Sequence, residues 1–136
     1  MIAPLLDTHA WIWWVDRDPR LGPRVLDALD GLPRDRRPLL SDISLWEVAM
    51  LVERGRLELD VPLRDWLDAA AHPHSVRVVP ISSRIAEDVA ALPESFHRDP
   101  ADRVIVSTSR VLGVPLLTQD AAIAKSGLVR RWRLAV

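Results

Sequence analysis

Three short apolar runs constrain this chain more than any other feature, because each stops at a polar residue with a helical pattern close behind it. Ile2 to Leu6 ends at Asp7, Leu39-Leu40 at Ser41, and Val114 to Leu117 at Thr118. None alternates apolar with polar residues, so each reads as a strand buried on both faces. Val76 to Ile81 is β-branched and reads the same way despite Pro80, and Trp132 to Val136 is a candidate closing strand. Strands that alternate with helices in this manner imply an α/β fold with a parallel sheet covered on both sides.

The expected helices are Thr8 to Val15, Gly22 to Leu29, Ile43 to Arg54, Pro62 to Ala71, Ser82 to Leu92, Pro100 to Leu112 and Ala121 to Ser126. Pro23 and Pro100 stand in first turns, where a missing N–H costs nothing. Asp99 precedes Pro100 as an N-cap, and Gly55 and Gly113 follow helix ends. Gly31 to Pro38 and Pro93 to Arg98 read as loops. No repeat or linker-like stretch interrupts the pattern, and 136 residues suffice for one core but not two. The expectation is a single domain over residues 1–136, a three-layer α/β/α sandwich with a mostly parallel central sheet.

Composition then removes whole classes of chemistry. Cysteine is absent, which excludes a thiolate nucleophile, disulfides and any Cys-ligated metal. The four histidines (9, 72, 74 and 97) lack metal-ligand spacing, so any ion has to sit mainly on oxygen. No apolar run approaches the roughly 20 residues that span a bilayer. Met1 to Asp7 lacks the basic start and long apolar stretch of a signal peptide, so a soluble cytoplasmic protein with no membrane partner is expected. The net charge of −1 supplies no global basic field for nucleic acid. All the basic residues except Lys125 are arginine, whose fork suits phosphate, although a GC-rich genome produces the same bias.

In an open α/β sheet, ligands bind beyond the carboxyl ends of the strands. That rule puts Asp7, the stretch Asp42 to Glu47, and Thr118 to Asp120 at one rim, with Asp99 and Asp102 opening a nearby helix. Several carboxylates in one cleft repel one another unless divalent cations neutralise them, and an all-oxygen set suits Mg²⁺ or Mn²⁺. A plainer reading stands beside this one. Asp7, Asp99 and Asp120 each sit where an N-cap belongs, and Ser44-Leu45-Trp46-Glu47 has the form of a capping box. Against it, an acid is chosen at every one of these ends where Ser, Thr or Asn would cap as well. Glu47 also shares an apolar stripe with Ile43, Met50 and Leu51, where an unpaired charge is expensive. The residues alone leave both readings open.

Four stretches in order decide more. They are Leu5-Leu6-Asp7-Thr8-His9-Ala10-Trp11, Ile43-Ser44-Leu45-Trp46-Glu47-Val48-Ala49, His97-Arg98-Asp99-Pro100-Ala101-Asp102-Arg103-Val104-Ile105, and Pro115-Leu116-Leu117-Thr118-Gln119-Asp120. Through them the chain resembles a PIN-domain ribonuclease, specifically a VapC-type toxin of a bacterial toxin–antitoxin pair. The resemblance implies a PIN-like fold and an acidic quartet of Asp7, Glu47, Asp102 and Asp120. It makes Asp7 and Asp102 the principal Mg²⁺ (or Mn²⁺) ligands, with Glu47 and Asp120 completing the site. Asp99 and Thr118 are secondary members, and Gln119 stands where the family often has Arg. The implied activity is metal-dependent endonucleolytic cleavage of single-stranded RNA by activated water.

The same resemblance implies partners: a homodimer, and a VapB-type antitoxin whose C-terminal segment covers the acidic groove. Arg98 and Arg103, or Arg17 and Arg20, are candidates for holding the RNA backbone. Trp11, Trp13 and Trp14 are candidates for the antitoxin interface, with burial in the core as the rival. Two other functions remain in view. One is a binding module on the same fold that works through protein contacts, which the intact quartet disfavours. The other is a Mg²⁺-dependent phosphohydrolase of a small substrate, disfavoured because His9 stands where an aspartyl-phosphate enzyme carries a second Asp.

Overall fold

The computed structural model describes residues 2–134. Four strands form one sheet: β1 (Leu5–Leu6), β2 (Leu39–Ser41), β3 (Arg77–Val79) and β4 (Leu116–Leu117), in the order β3-β2-β1-β4. Every pair is parallel, as expected. β1, β3 and β4 are shorter than the apolar runs that contain them, and proline explains much of it. Pro4, Pro38 and Pro115 stand immediately before β1, β2 and β4, and Pro80 immediately after β3. Each can accept but not donate, so the ladder stops there. The carbonyls of Pro115, Pro4 and Pro38 accept from Leu5, Leu39 and Arg77.

Register divides the leucines between two cores. Leu5 pairs with Leu39 and Leu116, and Leu6 with Leu40 and Leu117. Side chains alternate across a strand, so the two sets point to opposite faces. Leu6, Leu40 and Leu117 pack with residues of α1 (Thr8–Val15), α2 (Pro23–Asp30), α3 (Ile43–Glu53) and α4 (Leu63–Ala70). Leu5, Leu39 and Leu116 pack beneath Leu92, Phe96 and residues of α6 (Pro100–Leu112) and α7 (Ala121–Lys125). α5 (Ser83–Ala91) lies against α6. This is the expected three-layer arrangement. Full burial of each leucine contributes roughly 1.5–3 kcal/mol, which lets such short strands hold a sheet.

The closing strand differs from expectation. Arg131 makes a single parallel bridge to Leu116, and the Trp132 amide donates to the Leu116 carbonyl. Residues 135 and 136 of that expected strand lie outside the described residues. A short 3₁₀ turn at Arg34–Arg36 also interrupts the expected loop. Among the described residues, no helix is long and apolar enough to cross a membrane.

The tryptophans sort cleanly. Trp11 is fully buried with its Nε1 donating to the Ala70 carbonyl, and Trp14 is buried with its Nε1 on Asp30. Both are core residues. Trp13 is half-buried, with the Arg20 guanidinium over its ring at 4.9 Å.

Candidate active site

The topology brings the carboxylates together. β1 and β4 are neighbours, yet the chain leaves β1 toward β2 and returns to β4 only after β3. That reversal opens a crevice at the carboxyl ends of the two strands, the usual ligand position in such sheets. A cleft of about 590 Å³ occupies it, lined by Asp7, Glu47, Asp99, Asp102 and Asp120. All five acids singled out in the sequence therefore share one cavity.

Capping fixes three of them. Asp7 Oδ1 accepts from the Ala10 amide at 2.7 Å, Asp99 Oδ1 from Asp102 at 3.0 Å, and Asp120 Oδ1 from Ile123 at 2.9 Å. Each cap occupies one carboxylate oxygen and leaves the second available. Capping and site membership are thus the same fact, since the helix start holds the rotamer that the cleft uses. The capping box at Ser44 does not form. α3 begins at Ile43, as its expected bounds have it, but with Asp42 as N-cap, two residues before Ser44, which lies inside the helix. The Ser44 hydroxyl instead meets the Thr8 hydroxyl at 2.9 Å, tying the start of α3 to the start of α1.

Glu47 is thereby free of any capping duty. Its Oε1 is buried without a hydrogen-bond partner, and burial pushes its carboxyl above the usual range, against the pull of the Thr8 hydroxyl. Ligand oxygens of Glu47, Asp99 and Asp102 lie within 4.8 Å of one another. Among the described residues this is the group of three acids close enough together to share one ion. Asp102 is pushed up to about 7, by burial first and then by the charges of Asp99, Glu47, Asp120 and Asp7. Asp7, only 7% exposed, is raised by burial and pulled back by the Thr118 hydroxyl and the Ala10 amide. Thr118 also accepts from the Asp120 amide at 3.0 Å, so one buried hydroxyl links two of the acids. A buried carboxylate oxygen without a partner, beside two further acids within 4.8 Å, is a donor set that a divalent cation fits.

A family model for the PIN domain matches residues 5–127. This chain is a PIN-domain protein. Over 120 residues, and 88% of each chain, it is 36% identical to ribonuclease VapC22 of Mycobacterium tuberculosis. A solved toxin–antitoxin complex from Klebsiella pneumoniae shares the fold with a TM-score of 0.64 and 21% identity, over 93% of this chain and 95% of that one.

The arginines of this PIN domain divide between the cleft wall and the surface around it. Arg103 does not line the cleft. Its guanidinium donates to the carbonyls of Phe96, His97 and Val89, bracing the loop before α6. Arg98 is exposed but is not part of the cleft wall, and Arg17 is paired with Asp30 on the surface. Arg20 does line the cleft, paired with Asp18 at 2.8 Å. Its carbonyl accepts from Gln119 Nε2, so that side chain serves as a tether. Arg54, Arg56 and Trp46 also line the cleft and were not foreseen. The signal was present, because Arg54 follows Glu47 by seven residues and falls on the same helix face. His97, left without a role by its sequence, brings Nε2 to 3.4 Å from Asp102 Oδ2.

Proposed function

We propose that this PIN domain, working as one unit over residues 1–136, is a metal-dependent endoribonuclease that cleaves single-stranded RNA. It would be the toxin of a cytoplasmic toxin–antitoxin pair, a homodimer silenced by a VapB-type antitoxin over the acidic cleft. The observation that carries the activity is the convergence of five carboxylates, with one Glu47 oxygen buried and unpartnered. Identity to a protein named as a ribonuclease supports the substrate class, and likeness to a toxin–antitoxin complex agrees with the partner.

The donor set fits a hard divalent cation. Glu47, Asp99 and Asp102 would hold it, with Asp7 and Asp120 alongside, and Mg²⁺ or Mn²⁺ suits oxygens alone. Such an ion, when bound, offsets the charge developing on the phosphate and acidifies water at neutral pH. The chain's own part is positioning. Thr118 keeps Asp7 and Asp120 in fixed relation, and Thr8 with Ser44 does the same for the elements that carry Asp7 and Glu47. No cysteine exists to attack the phosphate, so attack by water is the simplest route.

The test is cleavage of total RNA by the purified chain in Mg²⁺, Mn²⁺ or EDTA, beside Asp7→Asn and Asp102→Asn. Discrete fragments that vanish with EDTA and in both variants are expected. Fragments that persist in the variants would overturn the site. Folded, antitoxin-free protein that cleaves nothing would shift the reading to a binding module.

A further inference from the structure

The acidic floor of the cleft accounts for chemistry at a phosphate but not for the grip on a polyanion, which five carboxylates would repel. One wall of the same cleft has the opposite character. Trp46, immediately before Glu47 on α3, is 47% exposed and is the one aromatic among the exposed large hydrophobic residues described. Arg54 caps the C-terminal end of α3, and Gly55, with φ of 70°, turns the chain so that Arg56 follows on the cleft wall. Both arginines are exposed, and neither has an ion-pair partner among the described residues.

We infer that Trp46, Arg54 and Arg56 form a subsite for single-stranded nucleic acid flanking the scissile bond. In it an unpaired base stacks on the indole, and neighbouring phosphates sit on the two guanidiniums. The inference rests on the proposed ribonuclease reading and adds to it the path of the strand. An exposed indole and two arginines without ion-pair partners on one cleft wall are the composition of single-strand binding grooves, where stacking and backbone charge act together. Helical rise sets the scale. Seven residues separate Glu47 from Arg54, about 10 Å along the axis, so a phosphate on Arg54 is a different one from a phosphate over Glu47. Arg20 cannot substitute for this pair, because Asp18 already neutralises it.

The experiment uses the full chain carrying Asp7→Asn, which retains the helix cap but suppresses cleavage. Binding of a fluorescein-labelled 12-nucleotide RNA of mixed sequence is followed by anisotropy across a salt series. Trp46→Leu is expected to weaken binding roughly 5- to 150-fold, while Trp46→Phe, which keeps a stacking face, restores most of it. Arg54→Ala with Arg56→Ala should lower the slope of log K against log salt by about 1.4, or about 0.7 for each lost phosphate contact. Thermal melts confirm that each variant folds. Unchanged affinity and slope in the variants, with the Asp7→Asn parent binding normally, would overturn the subsite and leave this wall to a protein partner. A parent that binds no RNA would instead overturn the ribonuclease reading itself.

Discussion

At the scale of single residues, the same aspartates that cap helices also line the acidic cleft. The sequence offered the two roles as rivals because both place Asp at a helix start. The geometry makes them compatible, since an N-cap bond needs one oxygen of two. Asparagine separates the roles, because it caps as well as aspartate but is a poorer ligand for a hard cation. Asp99→Asn should therefore leave the melting temperature nearly unchanged and weaken Mn²⁺ binding, measured by calorimetry. Asp99→Ala should weaken Mn²⁺ binding as much and also cost about 1 kcal/mol of stability through the lost cap. Equal Mn²⁺ affinity in the parent and Asp99→Asn would remove Asp99 from the ligand set. Glu47 is the complementary case. No cap rewards it, so its buried, unpartnered oxygen is a pure cost in the metal-free protein. Glu47→Gln should raise the melting temperature in EDTA and abolish the gain that Mn²⁺ confers on the parent, a trade expected where a site is paid for in stability.

At the scale of elements, helices were far more legible than strands. Thr8–Val15 and Pro100–Leu112 match their expected bounds, because Asp7 and Asp99 cap locally and Gly113 takes the left-handed turn at φ of 66°. Strand lengths were not legible, since a strand extends only as far as its neighbours and flanking prolines allow. The capping box at Ser44 misled for a related reason. Ser44 had a local partner available in the sequence pattern, but its hydroxyl bonds Thr8, 36 positions away, and only the folded chain shows that contact. That bond holds α1 against α3, the two elements whose starts carry Asp7 and Glu47. Ser44→Ala and Thr8→Ala should each cost about 1 kcal/mol, and the double variant less than their sum, as measured by urea denaturation. Strict additivity would show that the hydroxyl pair does not couple the helices.

At the scale of the whole molecule, the α/β class followed from the strand and helix pattern, and strand ends put Asp7, Glu47 and Asp120 at one rim, whereas the place of Asp99 and Asp102 beside them depends on how α6 packs. The sheet order did not follow from the pattern, because β3-β2-β1-β4 depends on pairings between residues far apart in sequence. The electrostatic consequence belongs to this scale, since it sums over groups from four elements. Burial and mutual repulsion raise Asp7, Glu47 and Asp102, the last to about 7 from an ordinary 3.8. Between those two values the folded chain holds a proton that the unfolded chain has released. Stability therefore falls as pH rises through this window, and the loss is complete above about 7. The lowered carboxyls Asp18, Asp30 and Asp88 have the opposite sign, but their contribution changes only below the ordinary value of 3.8 and leaves the window untouched. In EDTA, the melting temperature should rise as the buffer is taken from pH 8 toward pH 5. Divalent cations compete with those same protons, so saturating Mn²⁺ should stabilise the protein strongly at pH 8 and weakly at pH 5, flattening or reversing the trend. A metal-free profile that is flat over this range would mean that the cleft carboxylates are not held above their normal titration. A cation effect independent of pH would mean that the ion binds elsewhere.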